Sequence, residues 1–208
     1  MLDIFDGTVV IPILTIDRVA DAVPLASALV RGGLRVMEIA LRTPDAFAAI
    51  EAIVRNVPDA VPGAGTLLTG ADIGRAIAAG ARFLASPGLT PDLAAAGLSS
   101  DLPYVPGAVT PSEVIEARDA GFSLLKYFPA AASGGTLALS SYAAVFAGIA
   151  FYPTGGITAE NAGEFLALGN VKFVGGSWMV PADAITAQNW DGVERLARKA
   201  AELRTRRK

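Results

Sequence analysis

Eight short apolar runs, recurring at roughly 20–25-residue intervals and each followed by a helix-forming stretch, constrain the fold more than any other feature of the chain. They are VVIPIL (9–14), VMEIA (36–40), VPGAG (61–65), ARFLA (81–85), PYVPG (103–107), SLLKYF (123–128), AFYPTG (150–155) and VKFVGG (171–176). Strands that alternate with helices predict a parallel sheet covered by helices. Eight such units predict a (β/α)8 TIM barrel. A length of 208 residues accommodates one large α/β domain or two small ones. No linker or low-complexity segment divides the chain, so residues 1–208 are read as a single barrel domain. An open doubly wound sheet usually carries a Gly-rich turn after its first strand, and PILTID (12–17) supplies none.

The intervening segments carry helix signals. DRVADAVPLASALVRGG (17–33) has an Asp start, an apolar period near 3.6 and a double-glycine stop. TPDAFAAIEAIVRNVP (43–58) predicts Thr43 as N-cap and Pro44 in the first helical position. TPSEVIEARDAG (110–121) repeats that device with Thr110 and Pro111, and TAENAGEFLALGN (158–170) predicts a helix starting at Thr158 and stopping at Gly169. Pro12, Pro62, Pro106 and Pro153 run against the pattern, because each removes a ladder donor within or beside a predicted strand. Strand ends or bulges would accommodate them.

Composition narrows the chemistry. The chain has no Cys and no His. A Cys nucleophile, a Ser-His-Asp triad, a disulfide framework and a His- or Cys-ligated zinc are therefore excluded. A net charge of −3 gives no footprint for nucleic acid or a membrane surface. Arg195, Arg198, Lys199, Arg204, Arg206, Arg207 and Lys208 cluster near the end and read as helix-terminal cations followed by a solvated tail. From Tyr127 to Ala159 no residue is charged, yet SGG, SS and YPTGG interrupt the stretch. It reads as core, loops and a possible subunit contact, not as a membrane span. MLDIFDGT does not resemble a signal peptide, so a cytoplasmic location is expected.

Only four lysines exist: Lys126, Lys172, Lys199 and Lys208. Lys199 and Lys208 fall in the terminal helix and tail, and Lys172 opens the eighth run, at the face that stabilises a barrel and does not catalyse. Lys126 sits late in FSLLKYFPAA (122–131), sharing an inward face with Leu124 and Phe128. Burial there would favour its neutral, nucleophilic amine. A snorkelling side chain with its head in water is the other reading. In RVMEIALRT (35–43), Glu38, Ala40 and Arg42 share one face while Met37, Ile39 and Leu41 share the other. The apolar set suits helix packing, which turns Glu38 inward, where a carboxylate needs a partner or a task. Even-numbered strands contribute to the same interior layers, so Glu38 and Lys126 are expected to share a small space as working groups; a structural Glu38–Arg42 or Glu38–Lys126 ion pair is the other reading.

Two glycine pairs follow strands seven and eight, in PTGGIT (153–158) and VGGSW (174–178), where barrels commonly hold phosphate. Backbone amides of Gly155, Gly156, Gly175 and Gly176 can approach an anion closely, and Ser177 adds a hydroxyl. GAGT (63–66) and SPG (86–88) leave room for a ligand, and Thr66 offers a hydroxyl.

Taken together, EIALRT, GAGT, SPGLT, LKYFPA, PTGGI and GGSWMVPADA, in order from Val10 to about Ala184, resemble the 2-keto-3-deoxy-6-phosphogluconate (KDPG) aldolases. These belong with the 4-hydroxy-2-oxoglutarate (KHG) aldolases. The resemblance implies a class I aldolase of the Entner–Doudoroff route, cleaving KDPG to pyruvate and glyceraldehyde 3-phosphate. It implies Lys126 as the Schiff-base lysine, Glu38 as acid/base, and Arg42 and Thr66 as binders of the keto-acid carboxylate. It implies phosphate on Gly155, Gly156, Gly175, Gly176 and Ser177, and a pocket lined by Pro87, Phe128 and Thr154. A homotrimer with neither metal nor cofactor is expected. Ala40 stands where many members have Thr, and AASGG (131–135) replaces a more polar loop, so substrate preference is open. The 6-phosphogalactonate epimer and unphosphorylated KHG are alternative substrates. A non-catalytic phosphosugar-binding barrel is the alternative from another class.

Overall fold

The computed structural model describes residues 2–203. Its strands are β1 (Val10–Leu14), β2 (Val36–Ala40), β3 (Val61–Gly65), β4 (Leu84–Ala85), β5 (Tyr104–Val105), β6 (Leu124–Tyr127), β7 (Ala150–Pro153) and β8 (Val174–Gly176). Six pair in the order β5-β4-β3-β2-β1-β8, and β6 pairs with β7. All these pairings are parallel. Two seams close the ring. Gly107 bridges to Lys126 on the β5–β6 side, and Thr154 bridges to Gly175 on the β7–β8 side. The result is the predicted (β/α)8 barrel.

The helices are α1 (Val19–Arg31), α2 (Ala46–Asn56), α3 (Gly70–Ala78), α4 (Pro91–Leu98), α5 (Pro111–Asp119), α6 (Gly135–Val145), α7 (Ala162–Leu166), α8 (Ala182–Thr186) and α9 (Trp190–Ala201). Thr110 caps α5 as expected, in a reciprocal capping box with Glu113. Thr43 does not cap α2. Its hydroxyl donates to the Ile16 carbonyl at 2.6 Å, and the helix starts at Ala46. The neighbouring Asp45 carboxylate accepts from the Val19 amide, so both residues tie α2 to the loop after β1 and give up local capping. The helix expected from Thr158 starts only at Ala162, because Thr158 and Asn161 close a separate turn through reciprocal side-chain bonds. Strand eight is shorter than expected: Lys172 lies before β8, not within it. In α9, Arg198 and Lys199 occupy the last turn as expected, while the predicted cationic tail 204–208 lies outside the described residues. Among those residues no helix is long and apolar enough to cross a membrane.

The strand prolines cost less than the pattern suggested. A proline loses its donor but keeps its acceptor: the Pro62 carbonyl accepts from the Arg82 amide and the Pro106 carbonyl from the Lys126 amide, each at 2.8 Å.

Period-two alternation sorts the apolar residues into two bodies. Leu14, Met37, Ile39, Leu125 and Phe151 face outward and pack with Leu25, Leu29, Ile50 and Val114 of the helices. Ile11, Val36, Phe83, Val105, Leu124, Tyr152 and Phe173 fill the barrel interior. Phe5, from a 3₁₀ turn over Leu2–Phe5, joins this inner cluster from the N-terminal ends of the strands. Its ring lies 5.1 Å from the centroids of both Phe83 and Phe173. Phe5 therefore seals the bottom of the barrel. Phe5→Ala is expected to destabilise the fold by about 3–5 kcal/mol, read from urea denaturation.

Candidate active site

Glu38 is the middle residue of β2, with Met37 and Ile39 packed outward against helices. That alternation drives its carboxylate into the barrel, where it is 1% exposed. Lys126, flanked by outward Leu125 and Tyr127 on β6, enters from across the ring and is 5% exposed. Their side chains meet: Lys126 Nζ donates to Glu38 Oε1 at 2.5 Å. The expected shared space is therefore real, and the snorkelling alternative does not hold.

Sequence reasoning missed the third member of this group. Tyr152, on β7, donates its phenol O–H to Glu38 Oε2 at 3.1 Å. Its ring centroid lies 5.5 Å from Lys126 Nζ. Burial first, and the Glu38 charge second, push the Tyr152 phenol well above its ordinary range, so it stays a neutral donor. The signal was available in AFYPTG (150–155): Phe151 faces out, so Tyr152 faces in, and a buried phenol seeks an acceptor.

Small residues make room for this constellation. A Cβ at Gly65 would stand 2.0 Å from Glu38 Oε1, so β3 must present bare backbone there. At Gly107 a Cβ would lie 2.1 Å from the Pro87 carbonyl, and Gly107 is the residue that bridges to Lys126. Pro87 thus borders the seam beside the lysine. Gly175, expected as a phosphate contact, also has a packing reason to lack a side chain. A Cβ there would sit 2.6 Å from both the Tyr152 hydroxyl and Thr154 Oγ1, and the residue lies in β8 in register with Ile11.

Thr154 is 5% exposed. Its hydroxyl is near enough to the Tyr152 phenol to temper the upward shift there, yet it makes no well-aligned hydrogen bond and is left unpartnered. The remaining residues of the two glycine loops are brought together by the Thr154–Gly175 bridge. Gly155 and Gly156 have φ of 95° and 75°, conformations that glycine adopts without steric cost. A Cβ at Gly155 would lie 3.1 Å from the half-buried Phe128 ring, which places Phe128 against that loop. Gly156 and Ser177 are exposed at the strand ends. Because α7 starts at Ala162, the amides facing this opening belong to turns and not to a helix N-terminus.

Arg42 is exposed two residues beyond β2, and Thr66 follows β3; Ala40 and Gly65 are register partners, so the two side chains project from neighbouring strand ends. Thr66 has φ 63°. A β-branched residue in the left-handed region costs about 1–3 kcal/mol and persists only where its surroundings demand it.

A barrel that buries one lysine against a carboxylate, near the C-terminal mouth of the strands and beside glycine-rich loops, has the form of a class I lyase site. Comparison with known proteins agrees. The family model for KDPG and KHG aldolase matches residues 3–196. A 2-dehydro-3-deoxy-phosphogluconate aldolase of Pseudoalteromonas atlantica is 46% identical over 198 residues, 95% of this chain and 92% of that protein. The crystal structure of a Legionella pneumophila KDPG aldolase, with pyruvate captured as a covalent carbinolamine intermediate, superposes with a TM-score of 0.91. It is 44% identical and covers 94% of this chain and 95% of its own. The aldolase of Zymomonas mobilis ZM4 with 3-phosphoglycerate gives a TM-score of 0.89 at 42% identity, covering 97% of this chain and 96% of its own. The chain belongs to the KDPG and KHG aldolase family and is an aldolase, a carbon–carbon lyase.

The geometry makes a contrast between two glycines. Gly65→Ala drives a methyl into the Glu38 carboxylate and is expected to cost about 1–3 kcal/mol. Gly74→Ala, on the exposed face of α3 with nothing within 4 Å, is expected to stabilise by up to about 1 kcal/mol. Urea denaturation of both variants checks the pair; equal effects would mean that β3 yields freely beside Glu38.

Proposed function

We propose that this aldolase reversibly cleaves KDPG to pyruvate and glyceraldehyde 3-phosphate through a Schiff base on Lys126. The observation that carries the proposal is the buried 2.5 Å contact between Lys126 Nζ and Glu38 Oε1. Transfer of one proton along it leaves a neutral amine to add to the ketone and a carboxylic acid that can assist the loss of water. The amine adds to the C2 ketone to give a carbinolamine. Glu38 returns the proton to the departing hydroxyl, and water leaves behind an iminium. The Glu38 carboxylate then takes the C4 hydroxyl proton, directly or through a water, as the C3–C4 bond breaks. The bonding pair moves into the iminium to form an enamine, and the aldehyde departs. Glu38 protonates C3, and hydrolysis of the new iminium frees pyruvate and the lysine.

Arg42 and Thr66 are assigned to the substrate carboxylate, since a guanidinium can grip it bidentately. Gly155, Gly156, Gly175, Gly176 and Ser177 are assigned to the phosphate. Pro87, Phe128 and Thr154 line the space between. Family membership also supports a homotrimer acting in the cytoplasm, and exposed Leu137 and Val145 on α6 offer apolar surface for a subunit contact. Because the family model spans KDPG and KHG aldolases, unphosphorylated KHG is a second substrate to test.

Borohydride reduction with pyruvate should leave a single adduct on Lys126, located by peptide mass spectrometry; label elsewhere, or none, defeats the assignment. Glu38→Gln should retain most of that adduct while cleavage falls by about two to four orders of magnitude. Ser177→Ala should raise KM for KDPG and leave KHG turnover unaffected; equal losses would favour the unphosphorylated substrate.

A further inference from the structure

We infer that Tyr152 is a positioning residue for the aldol reaction: its phenol holds Glu38 Oε2, so that Oε1 alone exchanges protons with the Lys126 nitrogen and the substrate. The inference rests on the Schiff-base reading above and adds to it the reason one carboxylate oxygen does the work.

Three observations support it. The two oxygens of Glu38 are differently engaged, Oε1 by Lys126 at 2.5 Å and Oε2 by Tyr152 at 3.1 Å. The phenol cannot easily turn away. It is fully buried, its ring packs 4.9 Å from the Phe173 centroid, and Gly175 keeps clear the volume that it occupies. It also does not titrate in the working range, since burial and the adjacent carboxylate hold it protonated. A fixed neutral donor of this kind suits a carboxylate that must shuttle a proton several times per turnover. It restricts rotation about the Glu38 terminal torsion, and it stabilises the charged form after each proton is delivered.

The titratable groups bonded to Glu38 come from β6 and β7, namely Lys126 and Tyr152; its register partners on β1 and β3 are Ile13 and Gly63. Above the phenol lies the unpartnered Thr154 hydroxyl. Any pH response on losing the phenol therefore reads out through the Glu38–Lys126 pair.

The test is Tyr152→Phe, which deletes one oxygen and keeps the ring. It is expected to form the borohydride-trapped pyruvate adduct as wild type does. Its kcat should fall by about ten- to a hundredfold, the range for a lost hydrogen bond to a charged group. The acid limb of its kcat/KM profile should move to higher pH. In a Glu38→Gln background the same substitution should add less than about twofold, because residues acting as a unit are not additive. Full additivity, or an unchanged pH profile accompanied only by a lower Tm, would overturn the inference. A second variant guards against misfolding. 3-Fluorotyrosine at position 152 keeps the bond with a more acidic donor and should restore turnover with the acid limb at or below its wild-type position; if its limb moves upward, the inference fails. Absence of an adduct in the wild type would instead overturn the Schiff-base reading, so the two failures are distinct.

Discussion

Two opposite charges lose nearly all their hydration when Lys126 and Glu38 enter the barrel. In a protein interior that loss costs several kcal/mol per ion, and the attraction between the partners roughly offsets it. A pair of well-packed aliphatic side chains would serve the fold as well or better. Removal of either partner alone would leave the other buried and uncompensated. The pair is thus a poor choice for stability and a good one for reactivity, since a proton can move between its members without any charge leaving the site. Much of the surrounding sequence follows from accommodating it. Gly65 is bare because the carboxylate lies against it, Gly107 because the Pro87 carbonyl crosses close to the lysine seam, and Gly175 because Tyr152 and Thr154 fill the space above it.

The loops at the strand ends follow a different logic. Where the interior is rigid and filled, the strand ends carry backbone conformations that are uncommon elsewhere. Thr66 is held at φ 63°, and Gly155 and Gly156 are also left-handed. Strain at Thr66 is tolerated because β3, anchored five residues deep against β2, leaves the following residue little choice. Groups presented this way are set by the frame beneath them, and a ligand bound on the proposed assignments would meet them with little rearrangement.

How much of this was legible in the sequence depended on whether short-range rules decided the matter. The strands 36–40 and 61–65 and the inward aim of Glu38 and Lys126 follow from alternation, which is strict wherever helices cover the outer face. Thr110 caps its helix, its hydroxyl accepting from the Glu113 amide. Thr43 carries the same Thr-Pro signal, but a carbonyl from the β1 loop captures its hydroxyl, a contact between residues 27 apart that no local pattern reveals. Strands four and five shrink to two residues each, since only part of each apolar run finds a ladder partner. Tyr152 stayed hidden for a related reason. Its bond to Glu38 spans 114 residues, and a tyrosine within an apolar strand reads first as core.

The aromatic plug at Phe5 has a kinetic consequence. A chamber stoppered at one end obliges everything that enters to leave by the same door. On the proposed chemistry the three-carbon keto fragment is bonded at the lysine, while the phosphorylated aldehyde lies nearer the glycine loops. The aldehyde must then exit first and pyruvate last, with the order reversed during synthesis. Ordered traffic of this kind needs no gate or moving lid: the covalent bond keeps pyruvate until last, and the phenylalanine at the far end leaves one way out.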